Sequence, residues 1–155
     1  MRGLAAAAIL ALTAAACAPP GPEGVDQQRL ADAVGRAIGD PNTCVLMASK
    51  ADGEIVWRYG THMTCARELP SCQGAGRITV EAVKDAAVRG EEIAISCPSL
   101  RDGSTSVGWA AGPIQASPGT QYGELVFAAV MEGERALPGR EITLRLEQAF
   151  KRAGM

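Results

Sequence analysis

The spacing of apolar and polar positions changes character several times along this chain of 155 residues. From Leu4 to Ala16 every residue is uncharged and nearly all are apolar, with Arg2 the one charge before them. At roughly a dozen residues this run is shorter than the ~20 a helix needs to cross a bilayer, and it has the build of the apolar core of an export signal. Ala18-Pro19-Pro20-Gly21-Pro22-Glu23-Gly24 then shows no period and is too rich in Pro and Gly for a helix or a strand. It reads as a tether.

Helical spacing begins after Asp26, a candidate cap, with Leu30, Val34, Ala37 and Ile38 on one face. Gly39 and Pro41 end that pattern. Cys44 to Ser49 is apolar on both faces and Glu54 to Tyr59 alternates, so the Ala51-Asp52-Gly53 turn between them predicts a hairpin. Ile55, Trp57 and Tyr59 are expected on one face of the second strand, Glu54 and Arg58 on the other. Gly60 to Gly76 has no period. Thr79 can cap a second helix that runs through Arg89 and stops at Gly90, with Ile78 placed to pack on Val83. Glu92 to Cys97 alternates as a third strand. A turn at Arg101-Asp102-Gly103-Ser104 leads to a fourth, Val107 to Ala111. Glu124 to Met131, again apolar on both faces, is the fifth. A final helix directs Ile142, Leu146, Ala149 and Phe150 inward, and Lys151 and Arg152 suit its negative C-terminal end.

This pattern predicts an α+β domain: a five-stranded antiparallel sheet carrying N-terminal, middle and C-terminal helices. The two doubly apolar strands belong at its centre, which gives the order 2-1-5-4-3. The expected divisions are an export signal at 1–16, a tether at 17–25 and a single domain at 26–155. That domain is long enough for a real hydrophobic core. The formal net charge of −2 becomes one unit more negative when Arg2 is removed with the signal, so there is no basic footprint for nucleic acid.

Leu12-Thr13-Ala14-Ala15-Ala16-Cys17 resembles the lipobox of bacterial lipoproteins, although Ala14 stands where that family usually has Leu. The resemblance implies cleavage before Cys17 and lipidation of its thiol, palmitate included, with the membrane reached through that lipid. It also implies an envelope location facing the periplasm. Ala18 in place of an aspartate implies the outer membrane where the cell has one. Ala14-Ala15-Ala16 equally satisfies an ordinary A-x-A cleavage site, which would release a soluble secreted or periplasmic protein.

Export determines how the other cysteines are read. Cys44, Cys65, Cys72 and Cys97 in an oxidising space predict two disulfides, with three connectivities open. Antiparallel pairing brings the start of the first strand, the end of the second and the end of the third to one edge. That favours Cys44 with Cys65 and Cys72 with Cys97, and the rival is Cys65 with Cys72 and Cys44 with Cys97. His62 stands three residues from Cys65, and with Cys72 and Cys97 it could in principle hold zinc. A structural zinc site, however, wants two close-spaced ligand pairs of thiolates. No third group orients a Cys/His nucleophile pair. Gly74-Ala75-Gly76-Arg77 does not follow a strand and so makes a poor phosphate loop. No catalytic residue, metal site or cofactor is predicted.

The element order is also similar to the α/β half of serine β-lactamases and penicillin-binding proteins. Gly103-Ser104-Thr105-Ser106-Val107-Gly108-Trp109-Ala110-Ala111-Gly112-Pro113 looks like that family's late strand-turn-strand, and Arg140-Glu141-Ile142-Thr143 looks like the start of its last helix. Its Ser-x-x-Lys motif is missing, and Cys97-Pro98-Ser99 stands where its Lys-Ser/Thr-Gly strand would fall. The architecture implied is a truncated β-lactamase-like or a profilin-like one, and fold alone does not confer function. The expectation is a lipid-anchored envelope protein with a non-catalytic binding or structural domain and an envelope protein as possible partner. The alternatives are a degenerate or reduced β-lactamase/transpeptidase-like enzyme, or a thiol-dependent one.

Overall fold

The computed structural model describes residues 19, 21–116 and 118–155. Cys17 and the expected export signal lie outside them. Among the described residues the order is α1 (Gln27–Ile38), β1 (Cys44–Ser49), β2 (Ile55–Tyr59), α2 (His62–Cys65), β3 (Leu69–Pro70), β4 (Arg77–Ile78), α3 (Val80–Val88), β5 (Ile93–Pro98), β6 (Ser106–Pro113), β7 (Leu125–Gly133) and α4 (Gly139–Ala153). A 3-10 turn at Gln121–Glu124 leads into β7.

Five strands form one antiparallel sheet in the order β2-β1-β7-β6-β5. The expected 2-1-5-4-3 becomes 2-1-7-6-5 because the chain between the hairpin and the middle helix contributes two further strands, β3 and β4, which pair only with each other. That same stretch contributes a fourth helix, α2. Two-residue strands and a one-turn helix have no room for a hydrophobic period, so neither shows in the pattern.

At the centre β1 and β7 pair from Cys44↔Val130 to Ser49↔Leu125, and both are buried along nearly their whole length. Side chains alternate between two cores. Val45, Met47, Phe127, Ala129 and Met131 meet α1 and α4 on one face. Leu46, Ala48, Val126, Ala128 and Val130 meet α3 on the other.

The helices end as their sequences require, with one difference. Asp26 accepts from the N–H of Arg29 and Thr79 from that of Ala82. Gly39 closes α1 at φ −64°, not in the left-handed region expected of a terminal glycine. A Cβ there would run into the carbonyl of Gly35 and the hydroxyl of Tyr59, so close packing is what requires glycine.

In β2 the expected sharing of one face fails for Ile55. Met47 pairs with Trp57 and Ala48 with Ile55, leaving Val56 as an extra residue. This bulge inverts the alternation. Trp57 and Tyr59 pack toward α1, while Ile55 joins the opposite core.

The tether expected at 17–25 is already part of the domain from Gly21 onward. Gly21 donates its N–H to the carbonyl of Val56 at 2.8 Å, the residue that the bulge leaves over. Pro22 is buried, and Val25 packs against the α1/α4 core.

The first residue of α4 sits directly on β5 and β6. A Cβ at Gly139 would collide with the backbone of Trp109 and Ile95, and one at Gly108 with the carbonyl of Leu137 and the side chain of Ile142. Gly108→Ala is therefore expected to push α4 off the sheet and lower stability by about 3 kcal/mol, read as a reduced urea midpoint.

Two turns carry carboxylates that the fold favours in charged form. Asp52 is held below the usual carboxylate value of 3.8 chiefly by the N–H of Glu54 and then by the Ser49 side chain, and Asp102 likewise by the N–H and then the hydroxyl of Ser104. A lowered folded value means that the stabilisation is present above the unfolded pKa and lost as pH falls through the folded one. Urea midpoints measured between about pH 6 and pH 3 should fall less steeply in Asp52→Asn and Asp102→Asn than in the parent.

Candidate functional site

The strands bring their chemistry to one end of the sheet. Cys44 opens β1, Cys97 stands near the end of β5, and Glu132 is the penultimate residue of β7. Immediately after β2, Gly60 adopts φ +97°, and a Cβ there would run into the carbonyl of Thr43. Thr61 then caps α2 by accepting from the N–H of Thr64, and this single turn delivers Cys65 to Cys44. Their α-carbons are 5.2 Å apart.

The second disulfide joins Cys72 to Cys97, with α-carbons 5.4 Å apart. Cys72 lies just past β3, and its φ of +59° is the left-handed value that non-glycine residues rarely take. The β3–β4 ribbon is held a second time through Trp109. This side chain is fully buried, and its indole N–H donates to the carbonyl of Pro70 at 2.8 Å. The pairing is thus Cys44–Cys65 and Cys72–Cys97, closing loops with sequence separations of 21 and 25. Loops of this size correspond to about 3 kcal/mol each in the chain-entropy account.

Between the two staples lies a polar constellation. Arg67, two residues beyond Cys65, reaches Glu132 Oε2 at 3.1 Å. Ser99 Oγ donates to Glu132 Oε1 at 3.0 Å and shares a 2.6 Å contact with Thr105 Oγ1. Glu132 is only 13% exposed, so these partners supply what water would otherwise provide. Chemically this is a fastening. Both carboxylate oxygens are engaged, Oε2 by the Arg67 guanidinium and Oε1 by the Ser99 hydroxyl.

An adjacent cleft of about 410 Å³ is lined by Asp40, Asn42, Thr105, Glu132, Glu134 and Arg135, among others. Arg135 reaches across it to Asp40 at 3.2 Å. Its walls mix charges of both signs, from Asp40, Glu132, Glu134 and Arg135, with apolar surface from Pro41, Met131 and Ala136.

His62 is exposed at the start of α2, and Gly74-Ala75-Gly76 form the exposed turn of the ribbon. Among the described residues, no group of three His, Cys, Asp or Glu side chains is placed to hold a metal ion. Arg67, Ser99, Thr105 and Glu132 have no counterpart in the sequence reading. One of them had a signal. Counting alternately from Val126 through Ala128 and Val130 puts Glu132 on the α3 face, so a carboxylate at that parity needs a partner. The same face hides Lys84. Its side chain is 8% exposed, with Nζ 3.1 Å from the carbonyl of Gly53 and 2.7 Å from Asp85 Oδ1, which ties α3 to the β1–β2 turn.

No protein family, curated protein or solved structure matches the chain.

Arg67→Ala is expected to leave Glu132 with the Ser99 hydroxyl alone and to cost about 1 kcal/mol, since the pair is partly exposed. Most of that cost should vanish when Glu132→Gln is already present, a coupling that a double-mutant cycle in urea measures directly.

Proposed function

We propose that this is an exported protein, lipidated on Cys17 and held at the cell envelope facing the periplasm. In this reading its disulfide-tied domain binds another envelope component or plays a structural part without catalysis. The observation that carries the reading is the use of the cysteines. All four in the domain are joined in pairs, the arrangement that persists in an oxidising compartment. Cys17 is the one cysteine left outside those pairs, at the end of an apolar, lipobox-like segment. No described helix is long and apolar enough to cross a membrane, so in this reading attachment rests on the lipid. Stable anchoring of that kind needs more than one chain. Ala18 favours the outer membrane.

The architecture is read as profilin-like, with the terminal helices α1 and α4 together on one face of an antiparallel sheet and α3 on the other. The same arrangement keeps a truncated β-lactamase-like relative in view. Its chemistry would need the Ser-x-x-Lys motif of that family, which the sequence lacks.

Intact-mass analysis of the native protein should find a chain beginning at Cys17 with an acyl mass added, and labelled palmitate should be incorporated and lost in Cys17→Ser. No covalent adduct with a fluorescent penicillin is expected. A native chain that retains its first sixteen residues and titrates five thiols would overturn the reading, and a penicillin adduct would replace it with an enzymatic one.

A further inference from the structure

The route by which the chain enters the domain sets how close a lipid at Cys17 can be. Three hydrogen bonds tie this entry segment to the rest of the domain, and a fourth closes a turn within it. The N–H of Gly21 donates to the Val56 carbonyl at the β2 bulge, and the carbonyl of Pro22 accepts from Val25. The carbonyl of Glu23 accepts from both the Tyr122 hydroxyl at 3.1 Å and Gln121 Nε2 at 3.4 Å. Gly21 and Gly24 take φ values of +83° and +80°, which a side chain would resist. Pro22 is buried and Val25 packs on the core. The slack between a modified Cys17 and the folded domain is therefore the four residue steps to Gly21, at most ~14 Å in any conformation.

All of these contacts lie at one end of the sheet. Val56 is next to the β1–β2 turn, Gln121 and Tyr122 precede β7, and the N–H of Lys50 bonds to the carbonyl of Glu124 across the same end. The disulfides and the Arg67–Glu132–Ser99 constellation occupy the other end. Glu132 stands seven residues along β7 from Leu125, roughly 24 Å of strand.

We infer that the domain rides directly on the lipid headgroups with a fixed end down. The turn at Lys50–Gly53, the Gln121–Glu124 turn and the start of α1 face the bilayer, and the stapled end points away from it. This inference rests on lipidation at Cys17. The near end does not insert. Glu23, Asp52, Glu54 and Glu124 are exposed there, with Lys50 as an exposed cation among them, so the contact is imposed by the short leash and not by attraction to lipid. A protein partner approaching from the periplasm meets the stapled end and its 410 Å³ cleft first.

The test is energy transfer in the full-length mature protein, purified from membranes and reconstituted in phosphatidylcholine/phosphatidylglycerol vesicles that carry a headgroup acceptor. A fluorescent non-natural residue replaces either Asp52 or Leu100, both of them exposed and at opposite ends of the sheet. Transfer should be severalfold greater from position 52. A Gly/Ser spacer of about 12 residues inserted after Ala18, worth roughly 20 Å of reach, should bring the two positions toward equality. Equal transfer without the spacer, or greater transfer from position 100, overturns the inference. A parallel arm couples a maleimide phospholipid to Cys17 of a chain that starts there. It reads the orientation even if native mass analysis finds no acyl group, an outcome that would count against lipidation alone. The Cys17→Ser protein should not bind the vesicles. Binding by that variant would show a lipid affinity of the domain itself and overturn the leash as the cause.

Discussion

A strand that is dry on both faces cannot lie at the surface of a domain, and here two such strands are neighbours. β1 and β7 expose almost nothing on either side, so each face of the sheet needs its own cover and each outer strand needs a partner further out. α1 and α4 must share one face because both bring an apolar stripe, and α3 with the ribbon must close the other. The small residues follow from the same demand. Ala128 and Ala129 on β7, opposite Leu46 and Val45 on β1, let helices approach both faces at once. Gly108 and Gly139 let α4 touch the sheet backbone to backbone.

The cover on the α3 side is the thinner one, and this explains where the covalent and polar fastenings are. α3 has nine residues and α4 fifteen, so part of that face is closed by α2 and a ribbon of two-residue strands. Elements that short bury too little to be stable alone. Two disulfides, the Trp109–Pro70 hydrogen bond and the Arg67–Glu132 pair supply what their own packing does not.

The same distinction accounts for what could be read from the sequence. Leu30, Val34 and Ile38, or Ile142, Leu146 and Phe150, are apolar because a large face must be buried, and their spacing states which element buries it. The doubly apolar Cys44–Ser49 and Leu125–Gly133 segments state their central place in the same way. α2 and the ribbon are held by single contacts between residues far apart in the chain, and a contact of that kind leaves no period. Val56 shows the effect within a strand: one extra residue inverts the faces of everything before it, and nothing in the alternation of β2 announces it. The disulfide pairing was more accessible, because antiparallel topology limits which strand ends can meet. Of the polar constellation only Glu132 was within reach, through its parity. Ser99, Thr105 and Arg67 are ordinary loop and strand-end residues until the fold brings them to it.

The two ends of the sheet are consequently fastened by different means, and the difference has physical consequences. At the stapled end the main fastening is covalent and the Arg67–Glu132 pair beside it is partly exposed, so reduction should loosen that end far more than salt does. At the other end the entry segment is held by the Gly21 N–H donating to an edge-strand bulge and the Glu23 carbonyl accepting from the side chains of a 3-10 turn, bonds that compete with water. A pull along the N-terminus is therefore borne first by the Gly21–Val56 and Glu23–Tyr122 bonds. Neither disulfide lies on that line, since the first cysteine of either is Cys44, beyond α1. Resistance at the entry comes from β2 remaining paired with β1 and from the core contacts of Val25 and α1. The bulge at Val56 is what turns an otherwise unused edge carbonyl into the point where the chain is tied.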